Sequence, residues 1–385
     1  MNTAGLGMST RAVHGPVVRR APRSPVTSPI FQSSTFLNQV GSTDEVLYTR
    51  YGNNPNQVEI AQRLAAMEGA DSAIFLASGM GATALAHLAV LQPGDHLLAT
   101  SWIYGGTRTL FSREFQRLGI DVTFVDPSTP REWRRRMRKS TRALFVETPT
   151  NPVARVLDLE PLANLCGVNG MTLIVDSTFA SPVNFRPLEH GADIVIHSAT
   201  KYLNGHSDVI AGAVVSSTDV IEEVRRLLKS WGQAIDPHAA WLVERGMKTL
   251  AVRMARHNSN ALALAQAVSE HPKVGAVTYP GLETHPDHDL AREVLDGYGG
   301  IVGIQVRGGA RAAGRVLRRL RLARHAPSLG GVETLVSEPR VTSHAGLSVK
   351  ERRAQGVPDG FIRVSVGIED VNDVIADFMR ALSAS

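Results

Sequence analysis

The sequence is short of several things, and each shortage narrows what the protein can be. It has one cysteine, Cys166, in 385 residues. No intrachain disulfide and no multi-cysteine metal centre is therefore available, as expected of a chain kept in a reducing cytoplasm. Apolar runs are short: Ala192-Asp-Ile-Val-Ile196 is typical and carries a charge within it, so no segment is expected to span a membrane. The first residues lack a basic stretch followed by an apolar one, so no secretory signal is expected. No Gly-x-Gly-x-x-Gly turn follows a strand near the start, which disfavours a dinucleotide-dependent dehydrogenase. Aromatic residues are scarce at 5%, beside 20% charged and 43% hydrophobic, a globular profile and not a disordered or fibrous one.

What is present suggests two domains, since 385 residues exceed one ordinary domain. Formal charge is +5, and two arginine clusters supply much of it, Arg131 to Lys139 and Arg315 to Arg324. The second spaces apolar residues among its arginines at helical period, which describes one buried and one wet face. No nucleic-acid motif accompanies either cluster, and no nucleic-acid partner is expected. A basic chain also suits anionic substrates and a phosphate-bearing cofactor.

Residues 1–50 show no clear periodicity and are expected to be an extended arm ordered only against a neighbour. From 51 to 240, amphipathic helices (Gln57 to Met67, Gly81 to Leu91, Thr107 to Leu118) alternate with short apolar strands. The strands are Ser72–Leu76, His96–Thr100, Asp121–Val125, Thr141–Val146, Met171–Val175 and Ala192–Ile196. That alternation predicts an α/β domain with parallel strands covered by helices on both faces. One long helix, about Leu242 to Glu270, then opens a smaller α+β domain over residues 241–385, with strands at Gly300–Val306 and Phe361–Val366.

In parallel α/β sheets, chemistry collects just past the carboxyl ends of the strands. Four such ends carry unusual residues. Ser78, Gly79 and Met80 stand between a strand and a helix, where free N–H groups and the helix dipole make an anion cradle, or simply a tight turn. Asp176 follows a hydrophobic strand and needs a partner; it is either a helix cap or a counter-ion for a protonated pyridine nitrogen. Lys201, in Ser198-Ala-Thr200-Lys201, sits among small hydroxyl residues where desolvation and a nearby phosphate suit an amine to Schiff-base chemistry. Asn151 lies in the proline-fixed loop Glu147-Thr-Pro-Thr-Asn-Pro152 at the same rim.

Taken in order, these segments resemble the Cys/Met-metabolism family of enzymes dependent on pyridoxal 5′-phosphate (PLP). Its members include cystathionine γ-synthase, cystathionine γ-lyase, cystathionine β-lyase and methionine γ-lyase. The resemblance rests on Asp176-Ser-Thr-Phe-Ala-Ser-Pro-Val183, Arg186 to Asp193 and His197-Ser-Ala-Thr-Lys-Tyr-Leu-Asn-Gly-His-Ser-Asp208. It extends to Tyr48-Thr-Arg-Tyr-Gly-Asn53, Tyr104-Gly-Gly106, Ser328 to Glu333 and Arg363 to Asp370, nearly the whole chain. It implies a fold-type I PLP-dependent transferase and a carbon–sulfur enzyme of sulfur amino acid metabolism. Lys201 then resembles the lysine that holds PLP, Asp176 the partner of its ring nitrogen, and Ser78, Gly79, Met80, Ser198 and Thr200 the phosphate ligands. Tyr104 resembles the tyrosine that stacks on the ring and handles protons. Arg363, Ser328 and Asn151 resemble the clamp for the substrate carboxylate. Tyr48 and Arg50 resemble a pair reaching the phosphate from an adjacent subunit, which implies a homo-oligomer with shared sites, a tetramer built as a dimer of dimers.

Departures from the family pattern bear on the reaction. Pro327 stands where members acting on cystathionine at the γ-carbon commonly have glutamate. Leu329 stands where β-lyases tend to carry aromatics, and Gly106 where methionine γ-lyases usually carry cysteine. The expected reaction is γ-elimination from cystathionine or methionine, with γ-replacement by a γ-synthase or O-acylhomoserine thiol-transferase as the alternative. The tract Thr284-His-Pro-Asp-His-Asp289 is expected to be an ordinary loop and no metal site, and Cys166 a small core residue.

Overall fold

A computed structural model of the protein describes residues 5–16 and 22–385. Seven strands build its larger sheet: β1 (Ser72–Leu76), β2 (His96–Thr100), β3 (Asp121–Val125), β4 (Thr141–Glu147), β5 (Thr172–Asp176), β6 (Ile194–His197) and β7 (Gly212–Ser216). Their order is β1-β7-β6-β5-β4-β2-β3. The run from β6 to β3 is parallel, and alternate residues face opposite cores. Leu144 and Val146 of β4 join one cluster while Ala143 and Phe145 join the other. Both faces are thus buried, as the uninterrupted apolar strands require.

The sheet departs from the all-parallel expectation at one edge. β7 pairs antiparallel with both β6 and β1. The chain returns from β6 to β7 without a helix, and a parallel neighbour would need a crossover to bring it back to the same end.

A second sheet follows, from β8 (Val274–Thr278), β9 (Ile301–Val306), β10 (Arg324–His325), β11 (Leu335–Ser337) and β12 (Phe361–Ser365), in the order β10-β11-β12-β9-β8. Val302, Ile304, Ile362 and Val364 bury one face of it together with Leu264, Val316 and Phe378, which come from three helices. The single long helix expected before this sheet is two helices, Pro237–Met247 and Leu250–Ser269. The side chain of Asp236 caps the first one, accepting from His238 N–H at 2.8 Å. At the break, buried Arg253 donates to the freed carbonyl of Gly246 at 2.8 Å and to that of Tyr202 at 2.8 Å.

The arm also differs from a wholly extended segment. Met8–His14 is a helix with Ala12 buried, held to its own chain by Arg63, which donates to the carbonyls of Ala12 and Val13 at 2.8 and 2.6 Å. Residues 33–47 are almost all exposed, and Val26, Leu37 and Val40 are more than nine-tenths exposed. Among the described residues no helix is long and apolar enough to cross a membrane. Cys166 is buried in the helix Glu160–Asn169.

Candidate active site

Because β4, β5 and β6 are parallel neighbours, their carboxyl ends reach one rim. Glu147 pairs in register with Asp176, and Asp176 with Ile196. Above this rim lies a cleft of about 940 Å³, lined also by the chain after β10 at Pro327–Leu329 and after β11 at Thr342–Leu347. Ser78, Gly79, Met80, Tyr104, Asn151, Asp176, Ser198, Thr200, Lys201, Ser328 and Arg363 all line it.

Lys201 lies in the loop after β6, and its Nζ donates to Ser328 Oγ at 2.8 Å. Burial, reinforced by the charge of Arg363, pulls this amine down to about 8. Asp176 ends β5, where burial pushes its carboxyl above the usual range. Thr178 N–H donates to it at 2.9 Å, a local turn bond and not a helix cap, since the next helix, Ser181–Asn184, has its N-cap at Ala180. The same Thr178 accepts from Ser198 N–H at 2.8 Å, so the loops after β5 and β6 are tied together beneath the cleft. Behind them, His197 Nε2 meets Glu68 Oε1 at 2.5 Å, both fully buried.

Ser78 caps the helix Gly79–Leu88 by accepting from Gly81 N–H at 3.0 Å. A Cβ placed on Gly79 would lie 2.8 Å from both Cβ and Oγ of Ser198. Only glycine lets the helix start approach that hydroxyl so closely. Main-chain N–H groups and a serine hydroxyl thus converge at a helix N-terminus, a donor set suited to phosphate. Thr200 fits this task less well. Its hydroxyl donates to Ala211 carbonyl at 3.1 Å and accepts from Ala211 N–H at 3.0 Å. A hydroxyl has one proton to give, so Thr200 must turn before it can donate to an anion.

Arg363, on β12, is buried, which lowers it only to about 10, so it stays charged near neutrality. It donates to Asn151 Oδ1 at 3.2 Å and to Ser328 carbonyl at 2.7 Å. Its Nε–H has no hydrogen-bond partner among the described residues, and an unmatched buried guanidinium donor is a place for an anion. Tyr104 is half-exposed, and a Cβ on Gly106 would strike its ring at 2.5 Å from Cε1. Glycine at 106 therefore gives the ring room to lie there.

Two expected residues are elsewhere. Tyr48 precedes the short turn Thr49–Tyr51 and Arg50 lies within it, and neither lines the cleft. Arg50 lies 5.4 Å over the Tyr48 ring and 5.1 Å over that of Tyr51, and donates to the Lys229 carbonyl. The histidines of the 284–289 tract are engaged apart from each other: His288 Nδ1 meets the Pro280 carbonyl at 2.9 Å, while His285 Nε2 meets the Val153 carbonyl at 3.5 Å and its Nδ1 accepts from Asp287 N–H at 3.2 Å. Asp287 there receives Arg155 Nη2 at 2.8 Å. Sequence reasoning passed over Glu147, a buried cleft residue whose carboxyl burial and the charge of Asp176 push up to about 8. Its signal was the one that singled out Asp176, an acid directly ending a hydrophobic strand.

Known proteins resemble the chain over nearly its whole length. A model of the "Cys/Met metabolism PLP-dependent enzyme" family matches residues 9–383. An L-methionine γ-lyase of Fusobacterium nucleatum subsp. polymorphum is 40% identical, covering 99% of both chains. A cystathionine γ-lyase of Dictyostelium discoideum is 39% identical over 97% of both. Among solved structures, cystathionine γ-synthase from Xanthomonas oryzae pv. oryzae, in complex with aminoacrylate and cysteine, superposes with a TM-score of 0.94 at 36% identity, covering 98% of each chain.

Proposed function

The chain belongs to the Cys/Met metabolism family of PLP-dependent enzymes, and we propose that within it the protein cleaves the γ-carbon–sulfur bond of methionine or cystathionine. With water consumed, the products are a thiol, 2-oxobutanoate and ammonia. The observation that carries this reading is the convergence, in one cleft, of a depressed lysine amine, a buried strand-end carboxylate and an arginine with an unmatched donor.

The residues fit the cofactor. Lys201 would hold it covalently and Asp176 would pair with its ring nitrogen. Ser198 and the main chain at Gly79 and Met80 would hold its phosphate, with Thr200 joining if its hydroxyl turns. When bound, PLP supplies an electron sink for charge developing at the substrate's α-carbon. Arg363 and Asn151 bind the substrate carboxylate and so orient its α-hydrogen toward Lys201. Lys201 Nζ takes that proton; a low pKa leaves the amine neutral and able to do so near the operating pH. Tyr104 would cover the ring and supply the proton that leaves with sulfur. Tyr48 and Arg50 lie outside their own chain's cleft, in keeping with a role in a neighbour's. The exposed apolar residues of the arm, Leu37 and Val40 among them, are what a second copy of this chain would cover.

The second reading is γ-replacement, in which an external thiol takes the γ-position of an O-acylhomoserine. The 36% identity to a cystathionine γ-synthase favours keeping it. Incubating the pure protein with methionine, with cystathionine, and with O-acylhomoserine plus cysteine separates the two. Release of 2-oxobutanoate from the thioethers supports elimination, and cystathionine synthesis without it supports replacement.

A further inference from the structure

Glu147 lines the cleft but has no role in the chemistry described above, yet the structure gives it two partners. It is 4% exposed. Its Oε2 accepts from Tyr104 N–H at 2.9 Å, and its Oε1 from Asn151 N–H at 2.6 Å. These two N–H groups belong to different loops. Tyr104 precedes the short helix Gly105–Thr109, beyond β2. Asn151 lies in the proline loop after β4, with cis bonds before Pro149 and Pro152, and passes the linkage on to Arg363 of β12 at 3.2 Å. One side chain therefore joins the residue that covers the cofactor ring to the pair that grips the substrate.

A buried carboxyl beside a second one, Asp176, is a costly thing to keep. Apolar packing or a neutral amide would fill the same space without that repulsion. A carboxyl offers what an amide cannot, two acceptor oxygens held in one plane, each facing a main-chain donor. We propose that Glu147 is a positioning residue that fixes Tyr104 and the Asn151–Arg363 clamp relative to each other. This rests on reading the cleft as the PLP site. The substrate carboxylate is gripped on one side of this linkage and the ring is covered on the other. A loosened Glu147 then misaligns substrate against ring without removing any group that touches either.

The test uses the holoenzyme of the wild type and of Glu147→Gln and Glu147→Asp. Norleucine, which has the length of methionine but no sulfur to expel, serves as an equilibrium probe read from the cofactor's absorption. Glu147→Gln turns an N–H donor toward one of the two N–H groups, and Glu147→Asp is too short to span both. Each variant is expected to keep cofactor absorption and to melt close to the wild type. Each is expected to bind norleucine about tenfold or more weakly, and to lose about ten- to a hundredfold in kcat/KM for methionine, as for a buried donor left unsatisfied. Asp, retaining a carboxyl, should be the milder. Norleucine binding within twofold of wild type in whichever of the two variants folds would overturn the proposal. A wild type that shows no cofactor absorption refutes instead the reading of the cleft on which it rests.

Discussion

Lys201 Nζ and Ser328 Oγ are 2.8 Å apart, and the serine that makes this contact holds a left-handed backbone, φ +86°. A residue with a side chain rarely adopts that conformation. It is kept here because Ser328 serves two partners at once, its hydroxyl meeting Lys201 and its carbonyl meeting Arg363 at 2.7 Å. Ser328→Ala removes the first contact and leaves the second. The expected result is a fall in kcat of about tenfold, in line with one lost hydrogen bond to an amine, with KM little changed. Steady-state kinetics on the variant checks it. A rise in KM at constant kcat would place the hydroxyl on the substrate and not on Lys201.

Tyr48 and Arg50 stand away from the cleft of their own chain, so a complete site is expected to need a second copy. Arg50→Ala should weaken PLP retention, and Lys201→Ala should abolish turnover. Mixed under conditions of subunit exchange, the two variants should show more activity than either alone, because one hybrid site receives both intact residues. Exchange proven by mass with no regained activity would mean that each chain completes its own site.

Pro327 lines the cleft and has no carboxylate with which to recognise the distal amino group of cystathionine. Selection for that long substrate should be weak. Turnover of methionine is expected within about a hundredfold of that of cystathionine, the range set by one missing bond to a charged group. Parallel 2-oxobutanoate assays measure the ratio. Inert methionine beside rapid cystathionine synthesis would replace elimination with γ-replacement.

His87 tests the packing beneath the cleft. It is fully buried, its ring 4.8 Å from that of Phe111, and its Nδ1–H donates to the Thr83 carbonyl at 2.7 Å. Burial lowers it from 6.5 to about 4. The folded state therefore resists a proton that the unfolded chain accepts. Stability from this residue is complete above pH 6.5 and is lost as pH falls from there toward 4. By linkage the loss between pH 7 and pH 5 is about 2 kcal/mol. Urea titrations of wild type and His87→Asn at both pH values should differ by that amount in their pH dependence. Equal dependence would mean that His87 is charged in the folded protein.

Much of this arrangement was legible in the sequence. β1, β2 and β3 begin and end where their apolar runs do, because each is bounded by polar or turn-forming residues. Asp176 and Lys201 could be placed on one rim because parallel strands carry their ends to the same side. Other features depended on contacts that no local pattern encodes. β7 is missing from the strands expected on sequence, and its antiparallel pairing follows from a helix-free return. The arm's Met8–His14 helix is held by Arg63, some fifty residues later. The contact of the Thr200 hydroxyl with Ala211, eleven residues later, is not visible in a local pattern. Glu147 carried the same signal as Asp176, but its two partners lie on loops whose meeting is a tertiary fact.

The central claim is that Lys201 is the residue to which PLP is joined. Borohydride reduction of the purified protein, followed by peptide mapping, tests it directly. The account expects the cofactor fixed on the peptide that contains Ser198-Ala-Thr-Lys201, and no such label in Lys201→Ala. A label on any other lysine, or none on a protein that carries PLP, would contradict it.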